Sequence, residues 1–310
     1  MSGARDWLKS LAAGQLPAGP AFIPLLEKLA PRVAGISYQQ MSSDATAWSN
    51  ALGQAAQLLG CNALTLGWDD TLLAEACGVP LEWLDDQPRL ALRAEAFNPQ
   101  ARTAGRMPAL LETAQRVCQT TKAEGACVLA LTGPATLARQ VFAAAADKPL
   151  LEQLKPVLVE VVEALCQGRP ECLVFMESGA ALAGDVTPDL RRIYNTLKNI
   201  ATYYGVMPAL YLDAYVGWQE TAARWAALKL EHLLLGSDAA GDLPQPAALS
   251  GWQGLGWPLA AADLAASRAR IAACAGMQAA APALFFTTAL RQPADIEALR
   301  GISDMLGSRS

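Results

Sequence analysis

The chain has 310 residues, 53% of them hydrophobic and 17% charged, and its 24 Lys and Arg against 29 Asp and Glu leave a net charge of −5 and a pI near 5.1. That is apolar material for one large core or two modest ones. It excludes the basic stripe a nucleic-acid groove needs, and no apolar run approaches the roughly 20 residues that span a bilayer. A small-molecule partner is expected, with neither nucleic acid nor membrane. The seven cysteines are scattered through apolar segments with no CxxC pair, the pattern of reduced core thiols in a cytoplasmic protein.

Residues 1–20 (MSGARDWLKSLAAGQLPAGP) lack a long apolar h-region and form an N-terminal extension, either a mobile lead or a short helix rather than a signal peptide. Residues 21–310 are expected to be a single domain. AFIPLL (21–26) is a weak first strand. Residues 44–59 place apolar side chains at helical spacing, with Gly60 as the stop. ALTLGWDD (63–70) is the next strand, followed by a short helix in DDTLLAEACG and a long polar connection rich in arginine, 85–107, of the kind that serves as a lid.

A helix over 107–122 leads into the strand ACVLALTGP (126–134), and residues 135–145 and 150–166 supply further helical surface. CLVFMES (172–178) precedes a well-signalled helix, with Thr187 as cap, Pro188 in its first turn, Asp189 at its positive end and Gly205 closing it. MPALYLD (207–213), a helix over 218–231, HLLLGSD (232–238), WQGLGW (252–257), a helix over 262–275, APALFFTTAL (281–290) and a terminal helix from Pro293 to about Leu306 complete the succession.

Short, nearly continuous apolar strands alternating with helices are what a parallel sheet covered by helices requires. Eight strands with helical crossovers match a (β/α)8 TIM barrel, an α/β fold whose active site sits where the strand C-termini converge. A helical bundle fits less well, because the segments switch abruptly to turn chemistry at G-W-D-D, T-G-P and G-S-D. A doubly wound open sheet is the runner-up, but no GxGxxG or GxxxxGK[ST] is present.

In a barrel, Asp69 or Asp70, Thr132, Glu177, Asp213, Asp238, Thr287 and Thr288 share one rim. Converging carboxylates can hold a cation, bind a pyrrole or amine N–H, or supply an acid and a base whose pKa values are pushed apart. An acid after a strand can equally well cap the next helix. The single histidine, His232, begins a strand and is expected to be structural, which excludes a multi-histidine zinc site. Arg89, Arg93, Arg102 and Arg106 could clamp carboxylates from the 85–107 connection or pair with nearby acids. Arg291 follows the last strand, and Trp68, Trp252 and Trp257 could wall an aromatic-sized cavity.

The succession LLGCNALTLGWDDTLLAEACGVP (58–80), LALTGPATLARQVF (129–142), ECLVFMESGAALAGDVTPD (171–189), LKNIATYYGVMPALYLD (197–213) and FFTTALRQPADIEALRGI (285–302) resembles the uroporphyrinogen decarboxylase superfamily, which also holds cobalamin-dependent methyltransferases. The resemblance covers about Phe22 to Leu306 and implies a TIM barrel. It implies a decarboxylase-like protein acting on or binding a tetrapyrrole or related polycarboxylate at the C-terminal rim. Asp69 and Glu177 are then the catalytic candidates; Asp70, Trp68, Thr132, Asp213, Arg291, Arg89 and Arg93 are the substrate-binding ones. The family's arginine-rich loop is represented by IPLLEKLAPRVAG, which keeps only Arg32, and the tyrosine after the third strand is missing from TGPATLARQ. The methyltransferase branch holds zinc with a His-x-Cys and a later Cys, and the matching stretches YLDAYVG and FTTALRQP contain neither, so no metal and no other cofactor is expected. A corrinoid-linked methyltransferase without its own zinc and a non-catalytic binding protein are the alternatives. An apolar patch on the alanine-rich outer helices would favour a homodimer.

Overall fold

A computed structural model describes residues 4–17, 19–91, 97, 99–121, 125–214, 217–236, 251–260, 262–275, 283–288 and 295–307. Ten strands occur among them: β1 (Ala21–Phe22), β2 (Ala63–Leu66), β3 (Leu81–Leu84), β4 (Gln87–Leu90), β5 (Ala126–Thr132), β6 (Cys172–Ser178), β7 (Met207–Asp213), β8 (His232–Leu235), β9 (Gly254–Leu259) and β10 (Ala283–Thr288). Eight form one parallel sheet in the order β1-β10-β9-β8-β7-β6-β5-β2, with helices in each connection of that sheet that the described residues cover, so the expected TIM barrel is the observed fold. No helix among the described residues is long and apolar enough to cross a membrane.

The sheet's two ends, β1 and β2, meet at a seam held by side chains. β1 is short because Pro24 has no N–H to continue a ladder. Thr65 on β2 accepts from Leu26 N at 2.8 Å and donates to Pro24 O at 2.9 Å, while Thr288 on β10 accepts from Leu25 N at 2.8 Å. The two threonines thereby stand in for the missing backbone pairs and fix the chain that runs on to Glu27.

Two apolar layers follow from the strands' alternation. One lies between strands and helices. The other fills the barrel and includes Ala63, Val128, Ala130, Val174, Met176, Ala209, Tyr211 and Phe285, with Trp68 at the rim end. Its floor is plugged by the N-terminal helix Ala4–Ala12, which buries Trp7, Leu8 and Leu11. Trp7 packs edge-on against Phe285 at 5.4 Å and donates its indole N–H to Gly19 O at 2.8 Å. Of the two readings open for residues 1–20, the short helix is therefore the one observed over Ala4–Ala12.

Most element boundaries fall within a residue or two of those the sequence predicts. The helix Ala45–Leu59 is capped by Asp44 and closed by a left-handed Gly60, and Pro188–Tyr203 is capped by Thr187. The 85–107 connection differs. Its first part belongs to an antiparallel hairpin, β3 with β4, turned by Asp85 and Asp86 at φ of 50° and 59°. The half-buried alternation of LEWL and QPRL is a strand signal that the polar composition masked. The helix predicted over 218–231 ends at Trp225 and tightens into a 3-10 turn, Ala226–Leu228, before left-handed Lys229.

Candidate functional site

Where the strand C-termini converge, a cavity of about 90 Å³ is lined by Lys28, Tyr38, Trp68, Asp69, Asp70, Pro88, Met176, Ser178, Tyr211 and Asp213. β6 and β7 end in register, pairing Ser178 with Asp213, so both side chains reach the rim at one level. Trp68 meets Tyr211 edge-on at 5.1 Å, giving the floor an aromatic surface. Gly67 makes the turn that carries Trp68 and Asp69 there. Its φ is 87°, and a Cβ would lie 2.3 Å from Ala130 O, so only glycine fits.

Asp69 is held from four directions. Its Oδ2 accepts from Arg106 Nη1 at 2.6 Å and Tyr38 Oη at 3.2 Å; its Oδ1 accepts from Thr71 N at 2.9 Å and Thr71 Oγ1 at 2.6 Å. Arg106 also binds Glu75 at 2.8 Å and Thr71 Oγ1 at 2.7 Å, and its guanidinium lies 5.2 Å from the centre of the Trp83 ring. A buried, multiply hydrogen-bonded pair of this kind fixes geometry more than it adds net stability. Among the described members of the expected arginine cluster, Arg89, Arg102 and Arg106, it is Arg106 that reaches the site, as Asp69's partner.

Behind Asp69 stands Glu27, which is 1% exposed. Tyr38 Oη lies 2.7 Å from its Oε1, and Trp68 N donates to its Oε2 at 2.6 Å. Burial, with the nearby Asp69 charge adding to it, pushes the Glu27 carboxyl up to about 7 against the opposing hydrogen bonds. Tyr38 is pushed well above the usual phenol range, first by burial and then by Asp69 and Glu27, so it stays protonated at neutral pH. The hairpin positions this tyrosine: Asp86 at its turn accepts from Tyr38 N at 2.5 Å and Gln39 N at 3.0 Å, capping the short helix Tyr38–Ser42. Trp83 packs 6.3 Å from the Tyr38 ring.

The other predicted site residues divide clearly. Trp68, Asp69, Asp70 and Asp213 line the cavity. Thr132 stands outside it and donates to Asp70 O at 3.0 Å, steadying that turn. Glu177 is also outside the lining. Its Oε1 accepts from Ala135 N at 3.0 Å and Tyr194 Oη at 2.6 Å, and its Oε2 accepts from Thr136 N and Oγ1, both at 2.6 Å. Those bonds make it the N-terminal cap of the helix Pro134–Phe142. Burial raises its carboxyl while all four donors oppose the rise.

Arg89 is exposed on β4, opposite Glu82, and Arg32 is exposed on the helix Ala30–Ala34; neither lines the cavity. Arg93, Arg291 and Asp238 lie outside the described residues. His232 is buried at the barrel's floor, where burial lowers its pKa to about 4 and its Nδ1 has no hydrogen-bond partner among the described residues. Trp252 and Trp257 are buried away from the cavity lining.

Glu27 and Tyr38 were missed by sequence reasoning. A usable signal existed for the first: a lone acid in the apolar run FIPLLEKLA, just past the weakest strand. Tyr38 carried none, because the hairpin that places it was not foreseen. The zinc set of the methyltransferase branch does not fit these residues. Tyr211, Leu212 and Asp213 occupy one strand end and Thr287 and Thr288 another, and no group of three potential metal ligands occurs among the described residues.

No protein-family model matches the sequence, and no curated protein does. The fold is shared with solved structures at low identity. A methyltransferase from Methanosarcina mazei superposes with a TM-score of 0.72 over 98% of this chain and 98% of its own, at 13% identity. A B12-independent methionine synthase from Shewanella sp. W3-18-1, in complex with selenomethionine, gives a TM-score of 0.59 over 85% of this chain and 89% of its own, at 14% identity. Both are methyltransferase-type TIM barrels, and at these identities the likeness is one of fold.

Proposed function

We propose that the chain is a methyltransferase-like member of the uroporphyrinogen decarboxylase superfamily whose rim cavity takes a small cationic or N–H-bearing group. The observation that carries this reading is the lining itself. Asp69, Asp70 and Asp213 share one cavity with the rings of Tyr38, Trp68 and Tyr211, and Lys28 is its one cationic lining residue among those described. Carboxylates facing aromatic rings suit an alkylated ammonium, which gains from charge attraction and from the ring faces together. A ligand of that class is of the cavity's size, whereas drug-sized ligands occupy about 300–1,000 Å³. The match over nearly the whole length of the Methanosarcina mazei methyltransferase adds the reaction class. Methyl transfer from an alkylated ammonium breaks a C–N bond, leaves the electron pair on nitrogen and forms a bond from carbon to an acceptor such as a thiolate or a reduced corrinoid on a partner.

The decarboxylase reading has one observation in its favour, the place of Asp69 after β2. Its polycarboxylate clamp finds less support, since Arg106 is engaged by Asp69 and Glu75, and neither Arg89 nor Arg32 is among the residues lining the cavity. Calorimetric titration separates the two. Tetramethylammonium should bind the wild type and weaken about tenfold in Asp213→Asn, equivalent to about 1.4 kcal/mol. Saturable binding of uroporphyrinogen with no binding of tetramethylammonium would reverse the assignment, and binding of neither would leave the cavity without its proposed ligand class.

A further inference from the structure

The least expected group at the rim is a carboxyl buried behind the cavity and linked to it through a phenol. We propose that Glu27 is a proton store for the site, passing its proton to the cavity through the hydroxyl of Tyr38. This rests on the reading of the cavity as the active site, and it deepens that reading by naming what supplies the proton.

Three observations carry it. Glu27 is 1% exposed and lies 2.7 Å from the hydroxyl of Tyr38, which itself lines the cavity. The same hydroxyl is 3.2 Å from Asp69, whose carboxylate is anchored by Arg106 at 2.6 Å. A phenol has one proton to donate and lone pairs to accept, so the arrangement is satisfied when neutral Glu27 donates to Tyr38 and Tyr38 donates to Asp69. The rise of the Glu27 carboxyl to about 7 agrees with a proton held there near neutrality. The charged and titratable groups facing it are Asp69 from the turn after β2 and Tyr38 from the short helix, with Arg106 beyond Asp69; Trp68 and Gly67 offer it backbone N–H groups.

The transfer balances simply. When a basic atom arises in the cavity, the Tyr38 O–H bond breaks as a bond from that atom to hydrogen forms, and the Glu27 O–H bond breaks as the Tyr38 O–H reforms. The electron pair stays on Glu27, whose carboxylate is received by the N–H groups of Gly67 and Trp68. Tyr38 is unchanged, consistent with a phenol pushed too high to hold a negative charge. Loss of methyl from an ammonium creates such a basic nitrogen, and decarboxylation creates a basic carbon. Glu27 acts through another side chain and is therefore a positioning residue.

Infrared pH titration of the full chain tests the store without any ligand. The wild type should lose a carboxylic-acid carbonyl band with a midpoint near 7, and Glu27→Gln should lack that band. Tyr38→Phe should keep the band and move its midpoint upward, because the phenol's hydrogen bond favours the carboxylate. Tetramethylammonium is the probe for coupling. Bound at neutral pH to the wild type, it should release protons, counted by calorimetry in two buffers of different ionisation enthalpy, and Glu27→Gln should bind it without release. A wild type with no neutral-range carboxyl band that Glu27→Gln removes would overturn the proton store. A band present with no binding of tetramethylammonium would instead overturn the proposed ligand class and leave the store standing.

Discussion

Two buried glutamates flank the barrel's rim and have opposite characters. Glu177, at the end of β6, accepts four hydrogen bonds, three of them from the first turn of the helix it caps. Glu27, beyond β1, accepts from Trp68 N and shares the phenol of Tyr38 with Asp69. Burial raises both carboxyls. At Glu177 none of the donors, on Ala135, Thr136 and Tyr194, lines the cavity, whereas at Glu27 the shared donor does. Burial alone therefore does not mark a functional acid; what matters is whether its hydrogen bonds end in the scaffold or at an open space.

The largest effect should come from the side of the rim where charges are paired. Arg106→Met leaves Asp69, 4% exposed as a side chain, without its cation and deprives Glu75 as well. Removing one partner from a buried pair costs about 3–5 kcal/mol, so urea unfolding should show a loss of that order. A loss under about 1 kcal/mol, the range of surface pairs, would mean that solvent reaches Asp69 and that the cluster is looser than its geometry.

The pH dependence of stability sharpens the contrast next. Glu27 rises from 4.5 to about 7 in the fold, so its contribution is fully present below 4.5 and is lost as pH rises through 7. His232 falls from 6.5 to about 4, so its contribution is present above 6.5 and is lost as pH falls through 4. Between 4.5 and 6.5 these two slopes oppose each other, each about 1.4 kcal/mol per pH unit, while Glu177, also raised by burial, adds a falling slope of its own. Relative to the wild type, the curve of Glu27→Gln should tilt upward with pH and that of His232→Asn should tilt downward. Denaturant midpoints across that window measure both, and parallel curves for all three proteins would refute the assignment.

The legibility of the molecule follows the range of the forces involved. The cap Thr187, the stop at Gly60 and the strands CLVFMES and MPALYLD are local signals, and the sequence announces them almost to the residue. Asp69, Asp70, Trp68 and Asp213 were legible because a barrel brings all strand ends to one rim. Glu177 satisfied the same rule, yet its donors come from Thr136 and Tyr194, 41 and 17 residues away, and no spacing foretells that. Tyr38 depends on the hairpin at 81–90, whose strands the polar residues concealed. Charge count misjudged Arg106 too, since its partner Asp69 lies 37 residues earlier.

The smallest effects compare two ways of capping a helix. Glu177→Gln places an amide where Ala135, Thr136 and Tyr194 all present donors. Gly133 sits so close that a Cβ there would lie 2.4 Å from Glu177 Oε1, so the new side chain has little room to turn away. Buried donors left unsatisfied cost about 1–3 kcal/mol, while the cavity's proton chemistry should be unaltered. Thr187 performs the same capping in solvent, accepting from Leu190 N at 3.2 Å on an exposed turn. Water replaces its hydroxyl in Thr187→Ala, and the loss should be about 1 kcal/mol. If urea unfolding gave equal losses for the two variants, burial would add nothing to the Glu177 cap, and the claim that its hydrogen bonds are anchored in the scaffold would lose its physical basis.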